Sequence, residues 1–415
     1  MNLAIVSPEY PPYNNPGGVA TFNKNFANLL VDLKHRVVVF CKIGKGTANV
    51  YLQKNKVEIV LVEYKFSSKI LNFLYFSYFL KAIRAISRHL LPTSIEIFEW
   101  NLFSYLALRK YHKIVPIDVA FCTDFSSSGL LGSLLLPKIS WIQHVHGPIL
   151  QFKDFKRKNF DTWMQQLIEK IDLVLLNNKT KIAHSFQLIQ DLKKKYMNLD
   201  ITYIKNFISE NKKCVPSRLV NKNTIIYFGR IEKRKGVDEL LKAFLGSAQK
   251  NKKLKLYLIG EVVDDFGEKN NESIFNVTHA HVQPESVINR VYFIPRIDQP
   301  EVLSLLIKTL NGIVVLPARY EPMGFTTIEA LLLGQIVVTT KNSENLIEDG
   351  VSGFYCRPDC KSIKAVLKKI NLLSQKKLFK IKANASTNLY KKFSYTDGKK
   401  AYVDLLMKVT PKKLE

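Results

Sequence analysis

Thr224-Ile225-Ile226-Tyr227-Phe228-Gly229-Arg230-Ile231-Glu232-Lys233-Arg234-Lys235-Gly236 runs straight into Val237-Asp238-Glu239-Leu240-Leu241-Lys242-Ala243-Phe244-Leu245. The first five residues are β-branched or aromatic, as in a strand covered on both faces. After Gly236 the apolar residues fall at Val237, Leu240, Leu241, Phe244 and Leu245, the three-and-four spacing of a helix stripe. Strand, polar turn and helix in that order open a βαβ unit, the building block of a parallel sheet. The alternation continues with strands over 254–259, 291–294, 312–316 and 336–340, and with helices over 300–307 and 326–333.

Upstream the same alternation occurs once more. Strands are predicted over 3–6, 36–40, 57–62, 95–98, 119–122, 139–145, 173–176 and 201–204, with helices over 21–33 and 181–196. The polar stretch Ser209-Glu210-Asn211-Lys212-Lys213 separates the two series and suits a linker. A chain of 415 residues is long for one core. The fold class expected is therefore α/β, with two doubly wound domains, 1–208 and 209–394, facing a central cleft at the carboxyl ends of their strands. An amphipathic helix over 395–409 ends the chain, and segment 395–415 is free to cross back to the first domain.

Lys and Arg number 62 against 35 Asp and Glu, a net charge of +27. Such a field favours anionic partners: nucleic acid, anionic lipid or phosphate-bearing substrates. Lysines spread over solvated faces account for much of the excess. No basic module interleaved with aromatics is present, so nucleic acid is not expected as a partner. The five cysteines, at 41, 122, 214, 356 and 360, lack the spacing and histidine company of a zinc site and read as a reduced, intracellular set. Met1 to Glu9 turns acidic too soon for a signal peptide, and no uncharged apolar run reaches the about 20 residues that span a bilayer. A cytoplasmic protein is expected, free or held peripherally at the inner face of the membrane.

Four motifs carry candidate chemistry. In Glu321-Pro322-Met323-Gly324-Phe325-Thr326-Thr327-Ile328-Glu329-Ala330, two glutamates flank a turn between a strand and a helix. Gly324 lets backbone N–H groups approach a ligand where the helix dipole favours negative charge. The carboxylates can hold sugar or ribose hydroxyls while the amides hold oxygens. Alone, each glutamate would pass for a surface charge; the complete string after a buried strand points to a site. In the second motif, Arg230 and Lys235 converge at a helix mouth, where two fixed cations can neutralise a departing diphosphate. That is the task a divalent metal performs in many enzymes that release a diphosphate, so no metal is expected. Lys233 and Arg234 read as solvated surface charges.

The third motif, Pro11-Pro12-Tyr13-Asn14-Asn15-Pro16-Gly17-Gly18, offers Gly17 and Gly18 for close approach to phosphate or substrate. The fourth is His144-Val145-His146-Gly147-Pro148. Two residues apart on a strand, both imidazoles share a face, but no third metal ligand is evident. His146, at the strand end, is the better candidate for touching a transferred sugar, and His144 reads as structural. Residues 69–91 mix aromatics with Lys81, Arg84 and Arg88, a pattern that suits a bilayer interface or equally the face of the first sheet. Lys153, Lys156, Arg157 and Lys158 would add attraction to anionic lipid.

In this order the motifs resemble the family-four retaining glycosyltransferases of GT-B fold. The resemblance spans nearly the whole chain, including Lys34-His35-Arg36-Val37, Asn206 and Leu316-Pro317 besides the strings already quoted. It implies that Arg230 and Lys235 bind the diphosphate of a nucleotide-sugar donor. Glu321 and the amides of Gly324 and Phe325 would hold the donor sugar, with Thr326 beside them, and Glu329 the ribose. His146 would contact the sugar, and Gly18 would lie beside the phosphates or the acceptor. The family keeps the anomeric configuration through a front-face, oxocarbenium-like step. Two departures leave the donor open: Lys341-Asn342-Ser343-Glu344-Asn345-Leu346 replaces the usual small residues, and Ala318 stands where serine is frequent.

The expected activity is metal-independent, cofactor-free, retaining transfer from a UDP- or GDP-linked sugar to a glycan, lipid-linked or small-molecule acceptor. A nucleotide-sugar epimerase on the same plan would consume donor without an acceptor. A non-enzymatic lipid- or nucleic-acid-binding protein would show salt-dependent binding without turnover.

Overall fold

A computed structural model describes residues 1–13, 17–43, 50–54, 56–62, 92–147, 160–208, 216–262, 287, 289–341 and 344–410. The linker 209–213, the stretch 69–91 and the basic cluster 153–158 lie outside the described residues. The chain forms two compact units: Met1–Asn206 together with Thr396–Glu415, and Phe207–Tyr395.

The sheet of the first unit contains β1 (Asn2–Val6), β2 (Arg36–Lys42), β3 (Val50–Lys54), β4 (Val57–Val62), β5 (Val119–Thr123), β6 (Ser140–Val145), β7 (Thr180–Ala183) and β8 (Thr202–Tyr203). Their order is β3-β4-β2-β1-β5-β6-β7-β8. Every pairing is parallel except β3 with β4, and Ile5 sits between Val39 and Phe121. The strands read as unbroken apolar runs because both faces of the sheet are covered, as in β5, where all five residues are buried.

The second sheet contains β9 (Thr224–Phe228), β10 (Lys255–Ile259), β11 (Val291–Ile294), β12 (Ile313–Leu316), β13 (Ile336–Thr340) and β14 (Phe354–Cys356). Its order is β11-β10-β9-β12-β13-β14, parallel throughout. From β9 the chain builds outward through β10 and β11, then returns to place β12 on the other side of β9. Connections that leave two neighbouring strands in opposite directions open a crevice at their carboxyl ends. The loops after β9 and β12 are those that carry the Arg230–Lys235 and Glu321–Glu329 motifs.

The α/β class read from sequence is observed within each unit, with local corrections. Residues 95–98 are not a strand but part of helix Pro92–Ile114, whose buried stripe of Ile97, Trp100, Ala107, Leu108 and Tyr111 follows helical spacing. Residues 173–176 belong largely to a π-helical turn, Ile171–Leu175; a short apolar run does not distinguish a strand from a buried helical segment. Residues 181–196 divide into the end of β7 and helix Phe186–Lys195, because Ser185 Oγ accepts the Leu188 N–H and starts the helix there. The edge strands β3 and β14 were not anticipated. The last helix, Tyr395–Val409, packs in the first unit, where Tyr402 is fully buried against Phe26 at 4.6 Å and Ser140 Oγ donates to the Val409 carbonyl.

Candidate active site

The loops after β9 and β12 are locked together by backbone. Gly236, with φ of 70°, ends the turn Lys233–Lys235 and opens helix Val237–Ala248. A Cβ at Gly236 would lie 2.1 Å from the Pro317 carbonyl oxygen, so only glycine lets the loops touch. Arg319 clasps them from the other side. Its N–H donates to the Arg234 carbonyl at 2.8 Å, its Nη1 to the Lys233 carbonyl, and its two Nη atoms to the Asp238 carboxylate at 2.7 and 2.8 Å. A bidentate pair of this kind fixes orientation as well as distance.

Four charged groups, Glu321, Lys235, Arg234 and Glu232, meet inside this clasp. Glu321, with 19% of its side chain exposed, pairs with Lys235 and lies 3.6 Å from Arg234 Nη1. Its Oε1 accepts the Gly324 N–H at 3.3 Å, where Gly324, at φ 68°, opens helix Phe325–Leu332. Burial alone would raise the Glu321 carboxyl, but Lys235 and Arg234, with the Lys235 and Gly324 hydrogen bonds, outweigh it and hold the pKa at about 2. Lys235 is drawn down by burial and by Arg234 more than Glu321 raises it.

Arg234 corrects the sequence reading. It is only 5% exposed, pairs with the buried Glu232 and donates to the Tyr320 carbonyl at 2.8 Å. It is an internal strut, whereas Lys233 is exposed. Arg230 is the outward cation, its side chain 55% exposed and 3.8 Å from Glu232. Lys235, Glu321, Gly324 and Thr326 line one small pocket, together with Ala318. Phe325 starts the helix, and Glu329 stands one turn on; both are half-buried.

Residues 209–392 match the sequence profile of the glycosyl transferases group 1 family. That match spans most of the second unit and less than half of the chain. An uncharacterized glycosyltransferase of Methanocaldococcus jannaschii is 24% identical over 324 residues, 73% of this chain and 78% of its own. Among solved structures, sucrose-phosphate synthase from Thermosynechococcus elongatus superposes with a TM-score of 0.74 at 16% identity, over 99% of this chain and 100% of that one. The Anabaena protein HepE, solved in complex with UDP-glucose, gives 0.64 at 16% identity, over 98% and 100%. These likenesses identify the fold as GT-B, and the chain is a glycosyltransferase.

The other sequence-predicted residues of the glycosyltransferase, Gly18 and His146, stand in the first unit and are not part of the pocket above. Gly18 is the first residue of helix Gly18–Asp32, which follows β1. The first sheet reverses its order between β1 and β5, so Gly18 stands at that unit's own switch point. His146 follows β6, 9% exposed, with both ring nitrogens lacking hydrogen-bond partners. His144, His146 and His184 form a triangle with ring centroids 5.3 to 5.8 Å apart, packed against Phe22. Burial pushes His144 and His146 well below the usual imidazole range, so both rings are neutral. No grouping of three side chains suited to a metal occurs among the described residues.

Two residues escaped the sequence reading. His184 joins the histidine triangle from the end of β7, its Nδ1 2.8 Å from the Ile204 carbonyl oxygen. Asp124, 3% exposed just past β5, accepts the Gly147 N–H at 2.9 Å and so holds the turn that carries His146. Burial raises its carboxyl to about 6 against the pull of the surrounding backbone N–H groups. A carboxylate directly after a buried strand, as in Thr123-Asp124, was the available signal.

Proposed function

We propose that this glycosyltransferase moves a sugar from a UDP- or GDP-linked donor to a glycan or lipid-linked acceptor. Anomeric configuration is retained, and neither metal nor cofactor takes part. The observation that carries this is the Lys235–Glu321–Gly324 cluster at a helix mouth, in one pocket at the carboxyl ends of β9 and β12. Lys235 and Arg230 meet the charge that develops on the departing diphosphate, electrostatic work otherwise given to a divalent ion. The first N–H groups of helix Phe325–Leu332, from Phe325 and Thr326, add dipole and donors for the donor's oxygens. Glu329 takes the ribose hydroxyls.

With its pKa at about 2, Glu321 stays ionised throughout the neutral range. It therefore accepts hydrogen bonds from sugar hydroxyls and gives up no proton. Two cations on the same carboxylate blunt it as a nucleophile, which favours a front-face step without a covalent sugar–enzyme intermediate. His146 and Gly18 serve the transferred sugar and the acceptor from the first unit. The nucleotide in the HepE complexes supports a nucleotide-linked donor, and the net charge of +27 supports peripheral attachment to an anionic membrane.

The test is a panel of UDP- and GDP-sugars assayed for nucleoside diphosphate release, with and without membrane extract and chelator. Product anomers are read by NMR. Release dependent on extract, indifferent to chelator and abolished in Lys235→Ala supports the reading. An inverted product, a need for added manganese, or full turnover by Lys235→Ala would sink it.

A further inference from the structure

Helix Phe160–Lys170 is built inside out: its two acids, Asp161 and Glu169, are buried, while Phe160, Trp163 and Leu167 stand in solvent at 57%, 54% and 36% exposure. The inward face is fixed, since Asp161 Oδ1 accepts the Ser94 N–H at 2.9 Å and the Ser94 hydroxyl at 2.7 Å. The outward residues follow a three-then-four spacing along one face. The Phe160 and Trp163 rings are stacked, with centroids 5.6 Å apart.

Neighbouring elements repeat the feature. Helix Phe160–Lys170, turn Phe125–Ser127 and helix Leu130–Leu135 all pack against helix Pro92–Ile114. Phe125, Leu134 and Leu135 are 47%, 45% and 53% exposed. Large apolar side chains left out on touching elements mark an interaction surface, not the usual scatter.

The charges of the same layer choose the partner. Its acids are withdrawn: Glu99, Asp124, Asp161 and Glu169 are each under 9% exposed, and the exposed Glu96 faces Lys42 at 3.6 Å. Its cations are not: Arg109, Lys110, Lys113, Lys138 and Lys170 are all exposed. Aromatic and leucine side chains with a surround of cations complement a bilayer interface, where rings settle at the headgroup boundary and cations meet lipid phosphate.

We infer that this helical layer of the first unit is the face by which the protein docks on an anionic lipid bilayer. The inference rests on the peripheral attachment proposed above and gives it an address. Trp163 supplies the probe, because the other two tryptophans, Trp100 and Trp141, are buried.

Full-length protein is mixed with vesicles of phosphatidylcholine alone or with added phosphatidylglycerol, then sedimented while tryptophan emission is recorded. Wild-type protein is expected to bind the anionic vesicles only, with a blue shift. Phe160→Ser/Trp163→Ser is expected to bind about tenfold more weakly or worse, with donor turnover on detergent-dispersed membrane extract unchanged. Should that variant misfold, Lys110→Glu/Lys113→Glu carries the same expectation on binding. A variant that binds as wild type does would overturn the assignment of the face while leaving attachment itself intact. Failure of wild-type protein to bind, with donor turnover intact, would overturn both but spare the catalytic reading. Self-association through the face, abolished in the serine variant and without lipid binding, would assign it to a second copy instead.

Discussion

Replacing Glu321 with glutamine leaves Lys235 and Arg234 sheltered beside each other with no anion between them. In the wild-type protein the Glu321 carboxyl is depressed from 4.5 to about 2. At roughly 1.4 kcal/mol per pH unit, that makes the ionised carboxylate worth about 3 kcal/mol to the folded second unit. The size agrees with the about 3–5 kcal/mol lost when one partner of a buried ion pair is removed. Because the folded pKa lies below the unfolded one, the contribution is complete above pH 4.5 and disappears as pH falls toward 2. All three tryptophans stand in the first unit, so fluorescence would miss the effect. Hydrogen exchange of the β9 and β12 amides in full-length protein reports the right region. At neutral pH these amides should exchange about a hundredfold faster in Glu321→Gln than in wild type, the ratio expected from about 3 kcal/mol of opening free energy. The excess should shrink below pH 4.5. Equal exchange at neutral pH, or an excess undiminished at acid pH, would show that the carboxylate's charge does not hold these loops together.

Gly236→Ala puts a Cβ against the Pro317 carbonyl oxygen at a φ of 70°. A loss of at least about 2 kcal/mol from the left-handed conformation and the clash together is expected in urea unfolding followed by circular dichroism, along with a fall in donor turnover. Arg319→Lys keeps the charge but not the bidentate grip on Asp238; it should lower kcat with little change in the first unit's stability, and an unchanged kcat would deny the clasp a positioning role. His144 is neutral when buried and charged when unfolded, so it costs the first unit stability as pH drops below the usual imidazole range near 6.5. His144→Phe should therefore flatten the acid loss seen by tryptophan fluorescence between about pH 6.5 and 5; a profile as steep as wild type would contradict it.

The fold was legible because parallel strands covered on both faces announce themselves: β9, β12 and β13 are entirely buried and appear as unbroken apolar runs. Where the covering differs, the signal fails. In 171–175 a helical turn is as apolar as a strand, because its one buried acid, Asp172, is neutralised by Lys179 and hydrogen-bonded by Gln143 at 2.6 Å from elsewhere in the fold. The second-unit site was legible for a related reason. Its residues are contiguous in two strings, and strand order alone sends both strings to one crevice. Burial within those strings was not legible. Arg234 and Lys235 are adjacent and chemically alike, yet Arg234 becomes a strut under Tyr320 while Lys235 lines the pocket. The difference is made by Gly236 and Arg319, which draw the loop after β12 across the turn so that one cation faces inward and the other faces Glu321. The first-unit histidines show the same limit from the opposite side. His144 and His146 are near neighbours in sequence, but His184 comes from another strand and Tyr402 from the last helix. Their placement is decided by tertiary packing that no local spacing encodes. Sequence thus announces which chemistry is present in each loop, and the clasp between loops decides which atoms of it reach a ligand.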